Sequence, residues 1–141
     1  MNPIGYILKN SCGDCGDNMV LRKGRYNIYF RCVNFPQCRG SHSAHQAGQK
    51  KGEPMGNPAD YRTRKLRQQT HEHLDKIWMT SPHHKKLGRR LVYDWLAAQM
   101  GLSIMDCHVS RFTADQCEEA LELCKGKAWE DIDGWHHAYN T

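Results

Sequence analysis

The chain has 141 residues, 39% of them hydrophobic and 25% charged, with a mean hydropathy of −0.79. That fits one ordinary domain, or a small stapled module plus a second domain, with modest cores in either case. No apolar run approaches the ~20 residues of a membrane span, and the start, MNPIGYILKNSC, lacks the basic and long apolar regions of a secretory signal. The expectation is therefore a soluble, cytoplasmic protein with no membrane partner. The net charge of +5 is unevenly spread: eight Lys/Arg against two Asp/Glu up to Lys51, nine against five from Gly52 to Trp95, and three against eight beyond. The first two thirds thus favour a polyanionic partner.

Residues 1–42 hold two cysteine pairs, Cys12 with Cys15 and Cys32 with Cys38, sixteen residues apart. Two disulfides or four free thiols are the alternatives to a metal. In a reducing compartment such pairing favours metal, because two tight turns can present four thiolates tetrahedrally to one zinc. Gly13 and Gly16 let the first turn fold tightly, and Pro36 stiffens the second. With four protein ligands the site is closed, so one structural Zn2+ is expected and no catalytic one.

Between the pairs, RYNIYFRC alternates as a strand does. Tyr26, Ile28, Phe30 and Cys32 are expected toward the core, and Arg25, Asn27, Tyr29 and Arg31 toward the other side. Cations beside a flat ring are the chemistry that holds single strands, and Arg22, Lys23 and Arg39 lie near in sequence. A merely solvated strand face is the alternative.

Residues 43–59, rich in Gly, Ser, Pro and Lys, have no apolar period and are expected to be a linker. A helical domain is expected over 60–126. Asp60 fits the cap of a first helix reaching Trp78, with Leu66, Thr70, Leu74, Ile77 and Trp78 on one face. Ser81 and Pro82 fit the cap and first turn of a second helix, with Leu87, Leu91, Trp95 and Ala98 inward and Gly101 at its end. Ser103 can open a short helical turn. Thr113 and Gln116 make a capping-box pair for a third helix, which Lys125 and Gly126 close. The tail, 127–141, shows no period.

Four groups in this half could carry function. HHKKLGRR, residues 83–90, places Lys85, Lys86, Arg89 and Arg90 near a helix start, where they oppose the dipole and invite an anion. Arg62, Arg64, Lys65 and Arg67 form a second basic run. His71 and Asp75, with Trp78, share a helix face and suit a base, a metal or a plain hydrogen bond. Cys107 and His108, with Cys117 or His71, could make a second zinc site, although Cys117, Ala120, Leu121 and Cys124 also read as a packing stripe.

The stretches CGDCGDNMVLRKG and FRCVNFPQCRG resemble the zinc-ribbon repeat at the C-terminal ends of bacterial type IA DNA topoisomerases. The specific part is Phe35-Pro36-Gln37-Cys38 followed by Arg39. The resemblance covers less than a third of the chain. It implies zinc on Cys12, Cys15, Cys32 and Cys38, and contact with single-stranded DNA. Residues 62–124 resemble a zinc-finger-containing family of unknown function common in bacteriophages and prophages. That match rests on His71 and Asp75 ahead of Ile77-Trp78, on YDWLAAQMGL and on CHVSRFTADQC. The family joins such a ribbon to such a helical segment, which implies a phage-encoded accessory or regulatory factor and no particular reaction.

The expectation is an α+β protein, a small four-cysteine zinc ribbon of short antiparallel strands followed by a mainly α-helical domain. Its expected role is nucleic-acid binding, single-stranded DNA first, with contacts at Arg22, Lys23, Arg25, Tyr29, Arg31, Arg39, Lys85, Lys86, Arg89 and Arg90 and no catalytic residues. One alternative is an adaptor that binds a host protein through Trp78, Trp95, Trp129 and Trp135. Another is a metal-dependent nuclease built on His71, Asp75 and His108.

Overall fold

The computed structural model describes residues 1–139; the last two residues of the expected tail, 140 and 141, lie outside the described residues. The chain divides into two compact units, Met1–Arg64 and Lys65–Thr141, and the architecture is α+β. No helix among the described residues is long and apolar enough to cross a membrane.

The first unit is built on a four-stranded antiparallel meander in the order β1 (Ile7–Leu8), β2 (Met19–Lys23), β3 (Ile28–Cys32) and β4 (Ser41–Ser43). Alternation sends Met19 and Leu21 of β2 and Phe30 and Cys32 of β3 to one face. There they form a small core with Cys12 and Ala44, against which Leu8, Ile28 and Cys38 pack.

The β2–β3 hairpin closes with the Gly24 amide donating to the Asn27 carbonyl at 2.7 Å. That turn consumes Arg25, Tyr26 and Asn27, so β3 starts at Ile28, later than the alternation implies. Tyr26, expected inward, is 86% exposed, because a turn residue does not share the pleat of the strand after it. Tyr29 and Arg31 keep the expected outward side.

Residues 43–59, expected as a linker, lie within the first unit. Ser43 ends β4, Ala44 bridges Pro54, and the His45 amide bonds the Glu53 carbonyl at 2.9 Å. The Gly52 amide returns to the His45 carbonyl at 2.9 Å, with Gly52 at φ +83°. This return covers one flank of the edge strand β4, which otherwise offers unpaired backbone.

The second unit holds most of α1 (Tyr61–Met79), then α2 (Lys85–Met100), a single 3-10 turn (Val109–Arg111), α3 (Ala114–Cys124) and α4 (Trp129–Tyr139). The N-terminal caps of α1 and α3 are those the sequence suggests. Asp60 Oδ1 accepts from the Thr63 amide at 2.8 Å, and Thr113 and Gln116 form the capping box of α3. Gly101 and Gly126 adopt the left-handed conformation that ends a helix.

Helix α2 starts three residues later than Pro82 suggests, because His84 serves as the cap, its Nδ1 accepting from the Leu87 amide at 3.3 Å. Its buried stripe is Gly88, Val92, Trp95, Leu96 and Ala97. Leu87 and Leu91 are therefore half-buried and Ala98 is exposed. The tail forms α4, which buries Trp129 and Ile132, and the Asp131 carboxylate satisfies the Ala128 amide at 2.8 Å.

One core joins these helices. It includes Leu74 and Ile77 of α1, Val92 and Leu96 of α2, Phe112, Ala120 of α3 and Ile132 of α4. Two polar links cross it: Arg67 Nε donates to the Phe112 carbonyl at 2.9 Å, and His136 Nε2 to the Leu91 carbonyl at 2.7 Å.

Candidate metal centre and sheet face

The first cysteine turn closes when the Gly16 amide bonds the Cys12 carbonyl at 2.8 Å, with Gly16 at φ +77°. The second turn starts as β3 ends. There the Asn34 amide donates to Cys32 Sγ at 3.4 Å, and the Cys38 amide to the Asn34 carbonyl at 3.1 Å. Asn34 also ties the turns together, its Nδ2 reaching Cys15 Sγ at 3.7 Å and Asp17 Oδ2 at 3.0 Å. Gly40 is indispensable for a reason the spacing does not reveal: a Cβ there would run into Cys12 Sγ.

All four Sγ atoms lie within 4.8 Å of one another. Cys12 and Cys38 are 3.7 Å apart, and Cys15 and Cys32 are 3.4 Å apart. A disulfide would need about 2.05 Å, whereas a tetrahedron with Zn–S bonds of about 2.3 Å has edges of about 3.8 Å. The spacing fits the ion and rules out the disulfide alternative for this geometry. The amide of Asp17, followed by the Cys32 thiol, draws the Cys15 thiol down to about 7, while burial pushes Cys32 up to about 12. Four sulfurs this close cannot all be thiolates unless a cation balances them. One structural zinc meets that need, and four protein ligands leave it no open position for chemistry.

The sheet face opposite the core follows from the register. One row runs Ile7–Val20–Arg31–Ser41, and the next Arg22–Tyr29–Ser43. Phe35 of the second cysteine turn is 42% exposed beside this face. Its ring centroid lies 4.3 Å from the Arg31 guanidinium and 5.9 Å from that of Arg39. Arg31 Nε is buried without a hydrogen-bond partner.

Arg22, Tyr29 and Arg31 thus come together in neighbouring cross-strand positions, with Arg39 joined to them through Phe35. Lys23 pairs with Ile28 on the alternate side, and Arg25 lies in the hairpin turn 5.3 Å over the Tyr26 ring. Phe35, which the sequence marks only as part of the ribbon motif, is a further aromatic beside this face. The signal was its place beside Pro36, in a turn rather than in the alternating strand.

In the second unit, Lys85, Lys86, Arg89 and Arg90 are all exposed on the first turns of α2. Lys85 Nζ stands 5.9 Å from the Trp78 ring centroid, and Arg90 reaches Asp94 at 4.0 Å. Asp75 Oδ1 accepts from Trp78 Nε1 at 2.7 Å, so the hydrogen bond on this helix face joins Asp75 to the tryptophan rather than to His71. Cys107, Cys117 and Cys124 are buried in the helical core, where burial raises Cys107 and Cys124 to about 11. Among the described residues, the first unit's four cysteines are the only potential metal-binding group of three or more. Neither the second zinc site nor the His71–Asp75–His108 set assembles there. Of the tryptophans considered as partner anchors, Trp95 and Trp129 are buried, and Trp78 and Trp135 pack against the core.

A stretch of 34 residues, 24% of the chain, is 47% identical to DNA topoisomerase 1 of Campylobacter jejuni, of which it spans 5%. The chain therefore corresponds to only a small piece of that protein. No solved structure matches the chain significantly. Residues 9–127, from just before the first cysteine turn to the end of α3 and beyond, match the zinc-finger-containing domain DUF3268, and the chain belongs to that family.

Proposed function

We propose that the outer face of the sheet binds single-stranded nucleic acid, DNA in the first place. The observation that carries this reading is the cluster of Arg22, Tyr29 and Arg31 in adjacent cross-strand positions, flanked by Phe35 and Arg39. Phosphates pair with the cations, and bases stack on the rings. Zinc holds this face in shape and takes no part in chemistry. The similarity to a stretch of a DNA topoisomerase supports DNA as the polymer. In the same proposal, Lys23 and Arg25 at the hairpin and Lys85, Lys86, Arg89 and Arg90 on α2 add phosphate contacts. The protein acts in the cytoplasm as a phage or prophage accessory factor.

Fluorescence anisotropy with a labelled single-stranded oligonucleotide and its duplex tests this. The zinc-loaded chain is expected to prefer the single strand and to lose affinity steeply between 50 and 200 mM salt, by about 300-fold if six phosphates are contacted. Removing one stacking ring in Tyr29→Ala or Phe35→Ala should weaken binding by about 5- to 100-fold. Arg31→Ala should lower the salt slope by about one. No binding of either probe by the zinc-loaded chain at low salt would rule the proposal out.

A further inference from the structure

Helix α1 begins with two carboxylates at its free amides, and only one of them is local. Asp60 serves the Thr63 amide. The other, Asp14, comes from between Cys12 and Cys15: its Oδ1 accepts from the Tyr61 amide at 2.7 Å, and its Oδ2 pairs with Arg64 Nη1 at 3.0 Å. Arg64 Nη1 also donates to the Ala59 carbonyl at 2.6 Å. Beside Asp14, Gly13 lies so close to the Ala59 and Asp60 backbone that any side chain there would overlap it. Two successive residues of the metal-holding turn are thus fixed to residues 59–64, all within the first unit.

The start of a helix has amides without intrahelical partners and a partial positive charge, and a carboxylate placed there stabilises it. In the structure Asp14 holds that position while the Cys12 and Cys15 sulfurs converge on a common centre. We propose that zinc loading and ordering of the first turn of α1 are thermodynamically linked through Asp14. The metal fixes the turn, the turn presents the carboxylate, and the carboxylate takes up the Tyr61 N–H and the Arg64 charge. Linkage is reciprocal, so whatever zinc contributes to the helix start, the helix start returns to zinc affinity. This inference rests on the zinc site and is independent of nucleic-acid binding.

The test is hydrogen exchange of residues 61–64 in the full chain, paired with zinc affinity by competition against a chromophoric chelator. In zinc-loaded Asp14→Ala, exchange at 61–64 is expected to quicken by about fivefold, the scale of a lost helix cap, and zinc affinity to fall by a similar factor. Arg64→Gln changes no residue of the metal-holding turn, and its zinc affinity is expected to fall by about twofold or more, the scale of a partly exposed ion pair. Unchanged exchange in loaded Asp14→Ala, or unchanged zinc affinity in Arg64→Gln, would overturn the linkage. If Asp14→Ala fails to take up metal, Arg64→Gln decides on both readouts, with quicker exchange at 61–64 and weaker zinc supporting the proposal and wild-type values for either one refuting it.

Discussion

Chelation of the metal is expected to unfold the first unit, with one equivalent of zinc released per chain. Its core comprises six buried residues, Cys12, Met19, Leu21, Phe30, Cys32 and Ala44, and two of those six are ligands. Strands of two to five residues around so small a core do not hold alone. Structural zinc sites supply about 10–16 kcal/mol of apparent binding energy, which here is folding energy. Amide dispersion in a two-dimensional NMR spectrum should collapse for residues of the sheet and recover when zinc is restored. Cys32→Ser should reproduce the loss without a chelator. A chelated chain that keeps its sheet resonances, or a release of two equivalents, would contradict the single structural site.

Phe112→Ala is expected to have the largest effect in the second unit. Phe112 is fully buried between the 3-10 turn and α3, and its carbonyl receives Arg67 Nε. Deleting a buried phenyl ring costs about 3–5 kcal/mol, through lost transfer energy and the cavity left behind. That is comparable with the whole stability of many small domains. Urea unfolding followed at 222 nm should shift to far lower denaturant, while metal analysis still finds one zinc per chain. Phe35→Ala removes the same side chain from a half-exposed position and is expected to leave the unfolding midpoint nearly unchanged. A Phe112→Ala midpoint equal to that of Phe35→Ala would refute the packing assignment.

The cysteine spacing and the helix caps were legible in the sequence because they are local. Two residues three apart make a metal-binding turn, and Thr113 with Gln116 close their box within one turn of helix. Features set by distant partners were hidden. Ser41–Ser43 has no strand pattern of its own and is a strand because β3 pairs with it. Residues 44–55 look like linker because what holds them is backbone pairing, which composition does not register. Asp14 reads as a turn residue, and nothing in its neighbourhood announces that Tyr61 and Arg64 will meet it. Helix α4 was obscured by Gly134 and by an apolar face limited to Trp129, Ile132 and Trp135. The start of β3, and both the start and the buried stripe of α2, differ from the pattern because a turn or a cap delays each element.

The seven cysteine thiols fall into two populations with different protection. Cys12, Cys15, Cys32 and Cys38 are guarded by coordination, whereas Cys107, Cys117 and Cys124 are guarded by apolar packing. An alkylating reagent therefore counts occupancy and folding separately on one molecule. Four sites become reactive as metal departs, and three more open only when the helical core gives way.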